Sequence, residues 1–310
     1  MKVLIAEYAV ATGLPGTYAV EGRAMLSILA RSFERLGHEV IYPTAGPAIG
    51  AGRGIVLGGR TDDDFEEFLA GTDADAGLVI APDELLPGFL KTLEESGITN
   101  LGCSPAAARL SADKLACTRH LEEAGVPVVE IADSNDDGPL VLKPRFGCGS
   151  ERMELVDMLP EKLDDRIATK FHEGESLSVS LIASGDQVLP LTVNKQLVSV
   201  EAGFEYEGGI VPYRSDREEE ILKVAKMAAQ ALSLSGYAGI DLVVGDLPRV
   251  VDVNPRPTTS IVGIAKVMRE ELADLILRAR FSSLPERVAV EGECVFKKGE
   301  LELSLTSTEI

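Results

Sequence analysis

The chain has 310 residues, 45% of them hydrophobic, enough for a sizeable core; with aromatics at 5% and no tryptophan, that core must be mainly aliphatic. Fifty acidic residues against 30 basic ones give a formal charge of −20, a field that repels polyanions and argues against non-specific nucleic-acid binding. No stretch approaches the roughly 20 consecutive apolar residues that a membrane span needs.

In chain order, Lys2–Glu7 reads as a short apolar strand. Glu7 interrupts the apolar run MKVLIAEYAV and no small-residue cleavage site follows, so a strand fits better than a signal peptide and the cytoplasm is the expected location. From about Val20, the spacing of Met25, Leu26, Leu29, Phe33 and Leu36 predicts a helix that stops at Gly37. Residues 39–42 form a second strand. Thr61 before Asp62, Asp63 and Asp64 is an N-cap with an acidic first turn, which complements the helix dipole. A third strand at 77–81, a helix at 87–96 closed by Gly97, and a fourth strand at 100–102 complete an alternation that predicts a small parallel α/β layer. That layer lacks GxGxxG after its first strand, which removes a dinucleotide oxidoreductase.

Ser111 is expected to cap a helix running to about Ala124 and closed by Gly125. The texture then turns β-rich, with short runs at 128–131, 139–143, 153–156, 167–171, 177–183 and 188–193. An amphipathic helix at 218–232, a hairpin of strands at 238–244 and 249–253, a last helix near 260–280 and a β-like tail follow. The fold class is α/β and α+β, with an α/β domain at 1–103, a small mixed lobe at 104–172 and a larger one at 173–310. The four cysteines (Cys103, Cys117, Cys148, Cys294) have no CxxC spacing, which fits reduced thiols better than a metal site or a disulfide framework.

Two segments carry the chemistry. In GPLVLKPRFGCGSERM at 138–153, an apolar strand delivers Lys143 to a loop with Gly147, Gly149 and Ser150. Glycines let a backbone fold closely over phosphate oxygens, and a lysine supplies a point charge for them. This is not a Walker A loop, because the lysine precedes the glycines; the bland alternative is a glycine-rich hairpin with an exposed lysine. In GIDLVVGDLPRVVDVNPRPTTS at 239–260, a hairpin brings Asp241 beside Asp252 and Asn254, the last two sharing a strand face. Hard oxygen donors in an apolar strand suit Mg²⁺ and cost free energy without compensation; the bland alternative is a solvated hairpin face. Arg256, in a Pro-Arg-Pro turn, suits a transferring phosphoryl group or a substrate carboxylate. His38 and His120 read as surface residues.

Lys114 in SADK, Lys143 in VLKP, the RFGCGS loop, KFHEGESLSVS and the closing GID…DVNPR together resemble the ATP-grasp superfamily from about Ser104 to Val267. The resemblance implies an ATP-grasp fold behind a Rossmann-like N-terminal lobe, ATP and Mg²⁺ (or Mn²⁺) as cofactors, and small-molecule carboxylate and amine substrates. It assigns ATP phosphates to Lys114, Lys143, Gly147, Gly149 and Ser150, adenine to the backbone of Lys170, Phe171 and His172, and metal to Asp241, Asp252 and Asn254. The ribose falls to Glu175, although strict register places Ser176 there. Asp252 stands where the family often has Glu. Dimers are common in the family, so a homodimer is a family expectation.

EYAVATG at 7–13, EGRAML at 21–26, VNKQ at 193–196, EYEGGIVPY at 205–213 and NPRPTTS at 254–260 are similar to the archaeal tyramine–glutamate ligases of methanofuran biosynthesis. That similarity implies a γ-glutamyl amide made through an acyl-phosphate. Arg256 would bind the acid's carboxylate, Asn194 and Gln196 its polar atoms, and Glu207 the amine, with Gly208, Gly209 and Thr258 around them. Other amino-acid ligases of the superfamily, of pyrrolysine-pathway or lysine-carrier type, remain alternatives, as does a non-catalytic nucleotide-binding protein of the same fold.

Overall fold

The computed structural model describes residues 1–136, 138–147, 152–199 and 204–301. Three sheets organise it. The first is parallel, in the order β3-β2-β1-β4-β5, from β1 (Lys2–Glu7), β2 (Glu39–Thr44), β3 (Arg53–Val56), β4 (Ala76–Ile80) and β5 (Thr99–Asn100). Both faces are buried along β1, β2 and β4, as a parallel sheet with crossover helices requires, while the edge strand β3 is partly exposed. Val3 and Ile5 pack toward α2 (Thr17–Arg35), while Leu4 and Ala6 pack with Phe65 and Leu69 of α3 (Asp62–Gly71) and Leu90 and Leu93 of α4 (Leu86–Glu95). Thr61 caps α3 as expected, in a reciprocal capping box with Asp64. The predicted face of α2 is buried except for Leu36, which lies beyond the helix end and is exposed.

The second sheet, β7-β6-β8, is antiparallel and small: β6 (Leu140–Pro144), β7 (Glu154–Val156) and β8 (Arg166–Lys170). Strand alternation sends Leu140 and Leu142 into its core and Val141 and Lys143 to the opposite face. The third sheet runs β13-β12-β9-β10-β11-β14, from β9 (Glu175–Ser184), β10 (Gln187–Ser199), β11 (Glu205–Val211), β12 (Gly236–Val244), β13 (Pro248–Asn254) and β14 (Cys294–Lys297). Leu177, Val179, Leu181 and Ile240 cover one face with α7 (Glu218–Ala231). The other face bears Ile182 and Leu189 under α8 (Ile261–Val267) and α9 (Leu272–Phe281), and a polar stretch with Ser178, Ser180 and Asn194. One core runs unbroken from β1 and α2 to α8 and α9, so the N-terminal sheet is welded to the last one. Among the described residues no helix is long and apolar enough to cross a membrane.

Several elements differ from expectation. The helix beginning at Ser111 is two helices, α5 (Pro105–Ala112) capped by Ser104 and α6 (Lys114–Glu123) capped by Asp113, so Ser111 is internal to α5. The last helix is broken between α8 and α9, where Met268 bridges to Val290 and Glu271 binds Ser32 and Arg35 of α2. Residues 128–131 contribute isolated bridges rather than a strand. A short helix, α1 (Tyr8–Thr12), and strands β3 and β11 appear where no element was predicted. In β11, Gly208 and Gly209 weaken strand propensity, yet the pairing needs them: a Cβ at Gly208 would lie 2.1 Å from Phe296 O.

Candidate active site

The three sheets enclose a cleft of about 1650 Å³. On its floor the register of β12 and β13 sets Asp241 directly opposite Asp252, with a bulge just after Asp241 that increases the local twist. Asn254 Nδ2 donates to Asp241 Oδ2 at 3.1 Å, and Gln196 Nε2 donates to Asp241 Oδ1 at 3.0 Å. Burial and then the facing Asp252 push the Asp241 carboxyl up to about 7.

Both predicted lysines reach this floor. Lys114 Nζ lies 2.7 Å from Asp252 Oδ2, and Lys143 Nζ donates to Val251 O at 2.8 Å. Burial, with Lys114 adding and Asp252 opposing, pushes the Lys143 ammonium down to about 8. Asp113 is the device that brings the lysines together, and sequence reasoning missed it. Its carboxylate caps α6 through Leu115 and Ala116 and takes Arg145 Nε and Nη2 at 2.8 and 2.6 Å, while Lys114 N donates to Arg145 O at 3.0 Å. The Arg145 guanidinium holds the Asp113 carboxyl below its ordinary range. The start of α6 is thereby pinned to the end of β6, the signal being an acid directly before Lys114.

Gly147 lines the cleft at φ +106°, a conformation open to glycine; Gly149 and Ser150 lie outside the described residues. Lys170, Phe171 and His172 line the cleft wall as a hinge between the small and large sheets. Lys170 Nζ lies 2.6 Å from Asp136, and His172 Nε2 lies 2.5 Å from Glu130 Oε2. The hinge then crosses the β12–β13 turn so closely that a Cβ on Gly245 would lie 2.2 Å from Glu173 O. Glu175 lines the cleft beside Ser176 and accepts 2.7 Å hydrogen bonds from Lys195 Nζ and Tyr213 Oη.

The residues assigned to substrate divide. Gln196, Arg256 and Thr258 line the cleft, and Gly239 makes room for Thr258, whose Cγ2 would lie 2.8 Å from a Cβ there. Asn194 does not line it: the residue is 1% exposed and bonds Thr192, Ser178 and Ser180 beneath the floor. Glu207 is exposed on β11, and strand alternation turns Tyr206 into the cleft in its place. Gly208 and Gly209 are buried against β14 and Phe296, where their lack of a side chain serves packing. Arg256 Nε holds Asp83 Oδ1 at 2.9 Å, and Asp83 is 2% exposed. Glu7 and Glu21 bring two more N-terminal carboxylates to the same cleft. The sequence segments containing Glu7 and Glu21 stood out on resemblance, but no role for these acids was drawn from them.

Among the described residues no three His, Cys, Asp or Glu side chains converge as a metal cluster. Two carboxylates and an amide nevertheless fit Mg²⁺, which takes few protein oxygens and fills its shell with phosphate and water. Burial first, and then the facing Asp252, push the Asp241 carboxyl up, and a cation bound between the two acids would favour its charged form.

Comparison with known proteins agrees with this geometry. The ATP-grasp domain family matches residues 111–260, a span containing Lys114, Lys143, Asp241, Asp252 and Asn254. The tyramine–L-glutamate ligase of Methanocaldococcus fervens is 29% identical over 287 residues, 89% of this chain and 93% of that protein. The tyramine–L-glutamate ligase of Methanocaldococcus jannaschii is 29% identical over 218 residues, 69% of this chain and 65% of that protein. The crystal structure of an ATP-grasp superfamily protein from Archaeoglobus fulgidus superposes with a TM-score of 0.76 at 30% identity, covering 93% of this chain and 90% of that one. With the lysine pair, the acidic hairpin and this likeness along nearly its whole length, the chain belongs to the ATP-grasp superfamily.

Proposed function

We propose that this ATP-grasp carboxylate–amine ligase joins the γ-carboxylate of L-glutamate to tyramine, forming γ-glutamyltyramine, ADP and phosphate. The observation that carries the reading is the meeting, in one cleft, of two buried lysines with the Asp241–Asp252–Asn254 set. A carboxylate resists attack by an amine because its carbonyl carbon is electron-rich. A glutamate carboxylate oxygen attacks the γ-phosphorus of ATP, ADP leaves, and the acyl-phosphate so formed carries a good leaving group. The amine nitrogen, having first given up its ammonium proton, attacks the acyl carbon, the C–O bond to phosphate breaks, and the nitrogen loses a second proton to give the amide. Catalysis of this kind is mainly positioning and charge neutralisation.

Lys114 and Lys143 supply fixed positive charge where the nucleotide phosphates would lie, and Asp113 keeps their spacing. Asp241, Asp252 and Asn254 would hold Mg²⁺, which supplies further charge neutralisation at the phosphates. The backbone of Lys170, Phe171 and His172 would hold adenine, and Glu175 the ribose. The choice of glutamate and tyramine is supported by the likeness to the Methanocaldococcus ligases over most of the chain, and it implies a step in methanofuran biosynthesis.

The test is incubation of the protein with ATP, Mg²⁺, L-glutamate and tyramine, with phosphate release and product mass recorded together. Release that needs both substrates, with the mass of a glutamyl amide, is expected. Release only with a different acid and amine would overturn the substrates and keep the ligase; none across a broad panel, despite ATP binding, would overturn catalysis.

A further inference from the structure

Beyond the lysines, the cleft continues between α2 and β11 into an arm walled by Tyr18, Met25, Phe204 and Tyr206. Its charged groups are unequally committed. Glu7 accepts from Val10 N at 2.7 Å as the cap of α1, and Gly22 fits so tightly against it that a Cβ there would lie 2.3 Å from Glu7 Oε2. Arg256 is engaged with Asp83. Glu21 is different. The Thr259 hydroxyl and the Arg256 charge favour its ionised form, but its ion pair, to Lys298, is made at 3.9 Å, the outer limit of such a contact. Burial raises the Glu21 carboxyl above its ordinary range. Across from it, the Tyr206 hydroxyl has no hydrogen-bond partner among the described residues, and it feels the charges of both Glu21 and Asp241. A carboxylate and a phenol oxygen thus flank a space between the N-terminal sheet and the acidic hairpin. A ligand bringing several N–H donors and a positive charge would satisfy both; a carboxylate would be repelled.

We propose that Glu21 and the Tyr206 hydroxyl receive the ammonium group of the incoming amine, whose apolar body lies against Tyr18, Met25 and Phe204. This rests on the carboxylate–amine ligase reading and adds to it the place of the amine. It reassigns to Glu21, on α2, the recognition that sequence resemblance gave to Glu207.

The test separates amine binding from acid activation. With ATP, Mg²⁺ and L-glutamate, hydroxylamine traps the acyl-phosphate as a hydroxamate, and this small neutral nucleophile needs no ammonium site. Glu21→Gln should raise the KM for tyramine about 10- to 100-fold, and Tyr206→Phe less, the range expected for losing hydrogen bonds to a charged group. Hydroxamate formation should stay at the wild-type rate in both variants, and Glu21→Asp, which keeps the charge, should fall between Glu21→Gln and wild type. An unchanged tyramine KM in Glu21→Gln, or a parallel fall in hydroxamate, would overturn the proposal. A wild type that makes the hydroxamate yet ignores tyramine breaks the substrate reading instead, and the KM comparison is then made with the amine it does couple.

Discussion

The acidic hairpin and the interlobe cluster both take carboxylates out of water, but they compensate them differently. In the hairpin, Lys114 meets Asp252 at 2.7 Å, while Asp241, facing Asp252, is itself supported by two neutral amides, Gln196 and Asn254. The compensation is incomplete, and the Asp241 carboxyl is pushed up to about 7. In the cluster, Glu7, which caps a helix, is raised by burial as Asp241 is, whereas Asp83 meets the Arg256 guanidinium at 2.9 Å. The pair joins segments 173 residues apart and ties the N-terminal sheet to the turn that follows β13. The closed Asp83–Arg256 pair marks where the scaffold is fastened; the two carboxylates facing each other in the hairpin mark where further positive charge is to arrive.

The largest expected effects break the hairpin side of this comparison. Lys143→Ala and Asp252→Ala should each lower turnover by about 100- to 1000-fold or more, the scale for removing one fixed charge from a site that stabilises developing charge. Circular dichroism should show the fold retained in both, with the melting temperature of Asp252→Ala lowered because Lys114 loses its partner at 2.7 Å. Normal turnover in either variant would remove that residue from catalysis.

The difference between the regions also explains what was legible in the sequence. Asp241, Asp252 and Asn254 sit on two adjacent strands, so alternation and one tight turn were enough to bring them together. Lys143 was legible because its strand ends in a glycine-rich loop. The cluster joins Glu7, Glu21, Asp83 and Arg256 from separate segments, and no local pattern reports such a meeting. Glu207 failed because the Gly208–Gly209 pair conceals a strand, and without the strand its alternation could not be read. Asn194 did lie on the floor's face of β10, but beneath the surface, where Ser178 and Ser180 already satisfy it. The break before α9 was hidden for the same reason as the cluster: Glu271 is drawn aside by Ser32 and Arg35, far away in sequence.

A second prediction sharpens the comparison through stability. Asp83→Ala removes the carboxylate that Arg256 Nε holds; breaking one side of a buried pair costs up to about 3–5 kcal/mol, less what Glu7 and Glu21 return to the guanidinium. Urea unfolding of Asp83→Ala should show a loss of up to that size. Asp241→Asn, measured without Mg²⁺ at pH 8, should leave stability level or raise it, because it removes an incompletely compensated charge. Equal losses in the two variants would erase the distinction between a fastening pair and a charge-receiving site.

The smallest effect concerns Glu7, the capping acid of the cluster. Burial, the first cause, raises its carboxyl to about 7, with the amide hydrogen bonds from Val10 and Ala9 opposing. The folded chain therefore binds this proton more tightly than the unfolded one, whose carboxyl keeps an ordinary value near 4.5. The sign follows by linkage: the contribution is fully present below the unfolded value and is lost as pH rises through the folded one. Glu7→Gln keeps an oxygen to accept from Val10 but cannot ionise. Relative to wild type, it should gain on the order of 2 kcal/mol in urea unfolding between pH 5 and pH 8. Titrations common to both chains, Asp241 included, cancel in that difference. Parallel stability curves for the two proteins would mean that Glu7 is already ionised at low pH, and that the amide donors and Arg256 compensate it as fully as Arg256 compensates Asp83.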